Sequence, residues 1–192
     1  RNLDSWFGRK ALSGGGPLID LGVHRLDLAL WLMGYPRPVW ILGGTYDPIG
    51  STLAREQGSG MDVEDLAVGL IQFDNGAMLS IEASWNANIS ERELMETRLL
   101  GTKGGLVQRN LEETYKFEAE LYAEHNGAHF DMRLHSLNQP VHPAMYHLVD
   151  SILKGQPHLA TGEEGALVMD ILDGIYKSAA ERRPIEVLPT AS

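Results

Sequence analysis

Two alternating runs of residues on either side of a tight-turn signature constrain the fold of this chain more than any other feature. The runs cover residues 65–73 and 77–85, and Asp74-Asn75-Gly76 lies between them. An Asn-Gly pair readily adopts the positive φ angles that a tight hairpin turn needs. In the second run apolar residues recur at every other position, which is the period of a half-buried strand. The sequence therefore predicts an antiparallel hairpin.

Weaker signals along the rest of the chain predict further strands, with helices at both ends. The alternation of residues 115–123 favours a strand, against a composition rich in Glu and Ala that is typical of helices. A capping box from Thr161 to Glu164 predicts the start of a long helix that reaches about residue 182. Residues 47–62 show no clear period and are predicted as a loop, and residues 125–140 hold three histidines and show no usable pattern. The remaining predictions are strands at 39–46, 93–100, 106–109 and 185–188, and helices at 17–33 and 143–154.

This order of elements predicts an α+β fold with a large, mostly antiparallel sheet and helices packed on one of its faces. The length of 192 residues suits one domain, so we expect residues 1–192 to form a single α+β domain. No Gly-x-Gly-x-x-Gly turn follows a strand, and the sequence therefore lacks the signature of a dinucleotide-binding domain. The chain begins at Arg1 rather than Met, and we expect it to be a fragment of a longer protein.

Composition narrows the expected partners and compartment. The formal net charge of −10 and the lack of any long basic run argue against nucleic acid as a partner. No apolar run approaches the roughly 18 residues that cross a bilayer, and no signal peptide is recognisable, so we expect no membrane partner. The absence of cysteine excludes disulfides, thiolate metal sites and cysteine nucleophiles, and it fits a reducing compartment. We therefore expect a cytoplasmic protein.

One face of the first long helix carries side chains that could do chemistry. Residues 13–34 read SGGGPLIDLGVHRLDLALWLMG and end at a glycine. At about 100° per residue, Asp20, His24, Asp27 and Trp31 fall within roughly 60° of arc. Carboxylates and an imidazole on a helix that also buries apolar residues must be paired or face a cleft. This face is the first candidate for a functional site.

Asp20 and His24 are four residues apart, so both side chains can reach one small molecule. A neighbouring carboxylate orients an imidazole and stabilises its charged form, as an acid/base acting on a hydroxyl requires. From spacing alone, a core histidine hydrogen-bonded to Asp20 is the simpler interpretation. The same pair could supply two ligands of a zinc or manganese ion. A third ligand would have to come from His125, His129, His135, His142 or His147, but loop histidines are usually surface residues, and we expect no metal.

Two further residues are candidates for binding a substrate. Trp85 ends a predicted strand and could stack on a sugar ring, although an aromatic residue at that place more often belongs to the core. Lys10 precedes the glycines, next to Arg9, and could bind an anion near the helix start. A solvated loop cation is the simpler interpretation of Lys10.

Taken as a whole, the stretch from Ser13 to Gly34 resembles the motif of the Gfo/Idh/MocA oxidoreductases, the family of glucose–fructose oxidoreductase and inositol dehydrogenase. The family pattern is a glycine pair, then Asp, Gly, His, Asp and an apolar run to Gly. Its positions are filled without a gap by Asp20, Gly22, His24, Asp27 and Gly34. Further similar segments are Val63-Glu64-Asp65, Ser84-Trp85, Gly155-x-Pro157 and the run from Ile175 to Ala179. The resemblance covers nearly the whole chain.

The resemblance implies the C-terminal α+β domain of a two-domain dehydrogenase, with the N-terminal Rossmann domain that binds NAD or NADP absent from this chain. In the family, the histidine matching His24 commonly acts as acid/base on the hydroxyl being oxidised, and the aspartate matching Asp20 supports it. A lysine from a Glu-Lys-Pro motif in the Rossmann domain shares that role, and this chain has no such motif. Half of an active site is therefore implied, and the chain alone is expected to be inactive.

The family's sheet commonly forms a subunit contact, which implies a homodimer or homotetramer. The leading hypothesis is an NAD(P)-dependent oxidoreductase acting on a hydroxyl of a sugar, inositol or related polyol. The alternative is a non-catalytic domain that binds carbohydrate or serves assembly with the same fold. Asp20 and His24 argue against this alternative because a scaffold needs neither. A third hypothesis, a metal-dependent isomerase or lyase, would require a bound metal.

Overall fold

The computed structural model describes residues 5–134 and 144–187 of the chain. The helices are α1 (Lys10–Ser13), α2 (Val23–Met33), α3 (Pro48–Gln57), α4 (Ala144–Lys154) and α5 (Gly162–Glu181), with a 3₁₀ turn at Trp6–Gly8 and a π-helical turn at Leu18–Gly22. The strands are β1 (Pro38–Tyr46), β2 (Leu66–Phe73), β3 (Met78–Ser84), β4 (Glu96–Gly101), β5 (Gly104–Leu111), β6 (Lys116–His125), β7 (Ala128–Leu134) and β8 (Ile185–Glu186).

The described residues form two compact units. The first contains residues 5–90 and 166–187, with strands in the order β3-β2-β1-β8, and the second contains residues 91–134 and 144–165, with β4-β5-β6-β7. Every strand pair in both sheets is antiparallel. The predicted α+β class with antiparallel pairing is confirmed, and the described strands divide into two sheets of four. No helix within the described ranges is long and apolar enough to cross a membrane.

In the first unit, helix α5 packs directly on the sheet. Ile171, Leu172 and Ile175 of this helix have no exposed surface. The sheet presents a glycine beneath them, since a Cβ on Gly43 would lie 2.4 Å from the carbonyl oxygen of Ile175. Glycine here allows the helix backbone to approach the strand closely. The hairpin prediction is confirmed, and Ile81 of β3 faces this core.

The segment before α2 differs from the single helix expected from Pro17 onward. Residues 18–22 form a π-helical turn, and the α-helix begins only at Val23. A π turn closes hydrogen bonds over five residues instead of four, which apolar spacing does not reveal. The predicted end is correct, because Gly34 adopts the left-handed conformation, with φ of 76°, directly after the helix.

Residues 47–62 were expected to form a loop, and that expectation is wrong because they contain α3. Pro48 occupies the first turn of this helix, and Gly58 follows its last residue in the left-handed conformation. The amide of Gly50 donates to the carboxylate of Asp65, which satisfies one N–H of the first turn. This stabilising contact comes from 15 residues further along the chain, beyond the reach of a local pattern.

In the second unit, alternation correctly predicted β6 over residues 115–123, whereas β7 was missed within residues 125–140, for which no strand was predicted. Glu118 and Glu120 of β6 form ion pairs with Arg133 of β7 on one face of the sheet. The opposite face carries apolar side chains, namely Leu106, Phe117, Leu121, Phe130 and Met132. The capping box before α5 is confirmed by reciprocal hydrogen bonds between Thr161 and Glu164.

Candidate functional site

Asp20 lies in the π-helical turn and is half-buried. Its backbone N–H donates to the carbonyl of Gly16 at 3.1 Å, which ties the residue to the glycine-rich turn. Its Oδ2 accepts a hydrogen bond of 2.9 Å from the indole Nε1–H of Trp85. The sequence nominated four residues for the site, namely Asp20, His24, Trp85 and Lys10. The structure brings Asp20 and Trp85 together.

His24 lies in the first turn of α2 and is exposed. Its imidazole forms no hydrogen bond or ion pair within the part of the chain that the structure describes. It is therefore open to an incoming ligand, and the expected support from Asp20 stays a prediction. Asp27 and Trp31, further along the same helix, are also exposed, and the hydroxyl of Tyr35 donates to Asp27 at 3.4 Å.

Trp85 follows the last residue of β3 and is part-buried. Its backbone N–H donates to the carbonyl oxygen of Asp65 at 3.1 Å. The hydroxyl of Ser84 donates to the same carbonyl at 2.8 Å. These bonds fix the end of the strand from which the indole extends toward Asp20. Stacking of Trp85 on a sugar stays a prediction.

The carboxylate of Glu64 accepts three hydrogen bonds near the candidate site, and sequence reasoning gave this residue no role. The residue is 8% exposed. Its carboxylate accepts the backbone N–H of Gly16 at 2.9 Å, the N–H of Leu18 at 3.3 Å and the hydroxyl of Tyr176 at 2.8 Å. A carboxylate suits this place because the start of a helix carries unpaired N–H groups and partial positive charge.

Burial, together with the negative charge and hydrogen bond of Glu64, raises the pKa of Tyr176 well above its ordinary value. The Tyr176 hydroxyl is therefore held in its protonated, donating form. This pair joins α5 to the start of the helical segment that carries Asp20 and His24.

Two neighbours of Glu64 perform the same task at other helices. Asp65, only 2% exposed, accepts the N–H of Gly50 in the first turn of α3. Asp62 accepts the N–H of Lys10, the first residue of α1, at 2.6 Å. The signal in the sequence was three acidic residues within four positions directly before a strand. A carboxylate favours a helix start in general, but the sequence does not show which helix each one reaches.

The glycine-rich turn is filled by the protein itself. A Cβ on Gly15 would lie 2.1 Å from the hydroxyl of Tyr176, and one on Gly16 would lie 2.1 Å from the carbonyl oxygen of Glu64. The N–H groups of Gly16 and Leu18, which could otherwise face a phosphate, are bonded to Glu64. The residues of this turn therefore do not fit the pyrophosphate of a dinucleotide.

Lys10 lies at a different place in the first unit. Its side chain is exposed and lines a cavity of about 180 Å³ with residues that include Tyr46, Asp62, Glu64 and Tyr176. The lining of this cavity contains none of the other three nominated residues. A substrate-binding role of Lys10 stays a prediction.

The candidate metal ligands are not gathered into a cluster within residues 5–134 and 144–187, where no group of three metal-binding side chains is found. His125 and His129 lie on the hairpin of β6 and β7. His147 lies on α4, and its Nε2 accepts the backbone N–H of Leu159 at 3.0 Å. His135 and His142 lie outside the described residues.

Comparison with known proteins gives the family. A family model described as "Oxidoreductase family, C-terminal alpha/beta domain" matches residues 1–187. The chain belongs to the Gfo/Idh/MocA oxidoreductase family. Within that family it corresponds to the C-terminal alpha/beta domain, as the motif from Ser13 to Gly34 implied.

Relatives of this Gfo/Idh/MocA domain include sugar dehydrogenases. The chain is 29% identical over 188 residues to D-glucoside 3-dehydrogenase from Escherichia coli (strain K12), a match that covers 94% of this chain and 51% of that protein. It thus spans about half the length of the curated relative.

Solved structures show the same fold. Aldose-aldose oxidoreductase from Caulobacter crescentus, complexed with glycerol, superposes with a TM-score of 0.76 at 24% identity, over 97% of this chain and 52% of that chain. Levoglucosan dehydrogenase in complex with NADH gives a TM-score of 0.76 at 21% identity, over 96% of this chain and 53% of that chain.

Proposed function

We propose that this chain is the substrate-binding domain of an NAD- or NADP-dependent oxidoreductase acting on a hydroxyl of a sugar, inositol or related polyol. Membership of the Gfo/Idh/MocA family and the likeness to a glucoside dehydrogenase support the reaction class. The observation that carries the site is the exposed imidazole of His24, one helical turn after the Asp20 carboxylate, which accepts the indole N–H of Trp85.

In this proposal His24 handles the proton of the reacting hydroxyl. Oxidation of a CH–OH group removes a hydride from carbon and a proton from oxygen. A neutral imidazole accepts that proton in oxidation and returns it in reduction. Asp20 lies close along the same helical segment and stabilises the imidazolium that forms. We further propose that Trp85 and Lys10 contact the substrate.

The nicotinamide cofactor supplies hydride transfer when bound, and we propose that a Rossmann domain outside this chain holds it. The closed turn at Gly15 and Gly16 supports this assignment, because Tyr176 and Glu64 occupy the space and the N–H groups that a pyrophosphate would need. The contribution of this chain is to bind the sugar, orient its hydroxyl and move the proton.

We also propose that the enzyme is a homodimer or homotetramer assembled through a sheet. The face of the first sheet that points away from α5 carries apolar side chains that are at least partly exposed, namely Trp40, Leu42, Leu70 and Met78. Such a patch is typical of an interaction surface.

The decisive experiment replaces His24 in the intact enzyme. Loss of a general acid/base lowers turnover about 10²–10⁴-fold, so we expect a drop of that size in kcat for His24→Ala. Asp27→Asn is the matched control, because Asp27 is exposed on the same helix, and we expect its kcat to stay within about twofold. Circular dichroism and thermal unfolding should show the same fold for both variants.

Full turnover of His24→Ala would contradict the acid/base role. If the intact protein bound sugars but reduced no nicotinamide with any polyol, the non-catalytic carbohydrate-binding alternative would replace the proposal.

A further inference from the structure

We propose that Trp85 is a positioning residue that fixes the orientation of the Asp20 carboxylate through its indole N–H. The catalytic consequence of this inference rests on the proposed function, but the interaction itself does not. The observation is the 2.9 Å hydrogen bond between Trp85 Nε1 and Asp20 Oδ2.

The chemistry of the two groups suits this role. An indole nitrogen only donates, and a carboxylate only accepts, so the direction of the bond is fixed. A bond from a neutral donor to a charged acceptor is stronger than one between two neutral groups. The indole ring is rigid and turns about two side-chain torsions, so one bond fixes the carboxylate without the entropy that a lysine or arginine would lose.

The donor is anchored from the side of the sheet. Asp65 is 2% exposed, and its carbonyl receives both the backbone N–H of Trp85 and the hydroxyl of Ser84. Its carboxylate is bonded to Gly50 at the start of α3. The residue that holds Trp85 in place is therefore itself held by a second element.

The acceptor is anchored from the side of the helix. Gly22, the last residue of the π turn that contains Asp20, packs against β3, where a Cβ would lie 3.4 Å from Ala83 Cβ. Trp85 extends from the end of that same strand. The hydrogen bond thus joins two elements already packed together, and it sets a carboxylate orientation that neither element fixes alone.

Positioning of Asp20 and stacking on a sugar require different parts of the Trp85 side chain. Stacking needs an aromatic face, which phenylalanine supplies. Positioning needs the N–H, which phenylalanine lacks. Trp85→Phe therefore separates the two roles, and Trp85→Leu removes both.

The first test is made on this chain of 192 residues by NMR of the indole N–H groups. The chain has four tryptophans, and the resonance that disappears in Trp85→Phe identifies Trp85. Asp20→Ala removes the acceptor, so we expect the Trp85 indole proton to move upfield and to exchange with solvent about tenfold faster or more. The indole resonance of Trp31, 58% exposed on α2, is the internal control and should stay unchanged. An unchanged Trp85 resonance in Asp20→Ala would overturn the proposal.

The second test is made with the intact enzyme. Positioning predicts that Trp85→Phe lowers kcat about tenfold with little change in KM, and that Asp20→Ala combined with Trp85→Phe is no slower than Asp20→Ala alone. An unchanged kcat in Trp85→Phe, with a raised KM in Trp85→Leu only, would assign Trp85 to stacking and overturn the positioning role. The NMR result does not depend on activity, so a failure of the His24 experiment remains distinguishable from a failure of this inference.

Discussion

Two sets of polar side chains in the first unit occupy different surroundings. The acidic stretch of residues 62–65 is mostly buried, and each of its three carboxylates accepts a backbone N–H at the start of a helix. The helical segment of residues 18–33 carries Asp20, which is half-buried and accepts the indole N–H of Trp85. It then carries His24, which is exposed and has no partner in the described part of the chain.

This difference indicates that the first set of side chains stabilises the fold and that the second is available for catalysis. Removal of a carboxylate that accepts backbone N–H groups at the start of a helix leaves those groups without their acceptor, which lowers stability. An exposed side chain without a partner in the described part of the chain, such as His24, contributes little to stability and remains available to a ligand. We therefore expect substitutions in the acidic stretch to act on folding and substitutions at the helix to act on turnover.

The largest effect that tests this comparison is expected at Glu64. Glu64→Ala removes the acceptor of two backbone N–H groups and of the Tyr176 hydroxyl, so we expect the free energy of unfolding to fall by about 3 kcal/mol. Asp20→Ala removes the acceptor of one part-buried indole, and we expect a loss of about 1 kcal/mol or less. Urea unfolding of the two variants, followed by circular dichroism, measures both values. Equal losses would remove the distinction between the two sets.

How far the sequence predicts this fold depends on where the stabilising partner lies. The hairpin of β2 and β3 was predicted because its turn and its alternation are both local. Helix α3 was missed because Asp65, which accepts an N–H of its first turn, lies 15 residues beyond Gly50. β7 was missed although residues 128–134 alternate strictly between apolar and polar side chains, because this alternation covers only part of the stretch 125–140, which has no period as a whole. Pairing with β6 shows the strand directly.

The candidate site was predicted in its residues but not in its geometry. Spacing placed Asp20 and His24 on one face of a regular α-helix, whereas the structure has a π turn at Asp20 and an α-helix from Val23. The bond from Trp85 to Asp20 joins residues 65 positions apart, and no local pattern can show a contact of that kind. The role of Glu64 escaped for the same reason, since its partners lie 46 and more positions away.

A smaller effect is expected from the glycines that the acidic stretch contacts. Gly16→Ala would place a Cβ 2.1 Å from the backbone oxygen of Glu64. Because the backbone there must move to make room, we expect the free energy of unfolding to fall by about 2 kcal/mol. Gly165→Ala is the matched control, because Gly165 lies in the first turns of α5 with no atom within 4 Å of the added Cβ. Because alanine favours a helix more than glycine does, we expect the free energy of unfolding of Gly165→Ala to rise by about 0.5 kcal/mol. An unchanged free energy of unfolding in Gly16→Ala would show that the contact between the turn and Glu64 is loose.

The smallest effect, and the most specific in its pH dependence, concerns Tyr176. Tyr176→Phe removes one donor to Glu64, so near pH 8 we expect the variant to be less stable by about 1 kcal/mol. Because burial and Glu64 raise the pKa of Tyr176 in the folded state, the unfolded chain releases this proton near pH 10, its ordinary value, while the folded chain keeps it. Unfolding is then coupled to proton release, and the stability that Tyr176 contributes falls as pH rises above about 10.

The difference in unfolding free energy between the unsubstituted chain and Tyr176→Phe measures this directly. We expect it to be constant from pH 7 to 9 and to shrink between pH 10 and 11 by less than the roughly 1 kcal/mol of full linkage, because the side chain is only part-buried. Every other titrating group is common to both proteins, so its effect cancels in the difference. A difference that stays constant to pH 11 would mean that Glu64 and the surrounding protein do not hold the proton on Tyr176, and the tight contact between Glu64 and α5 would then be wrong.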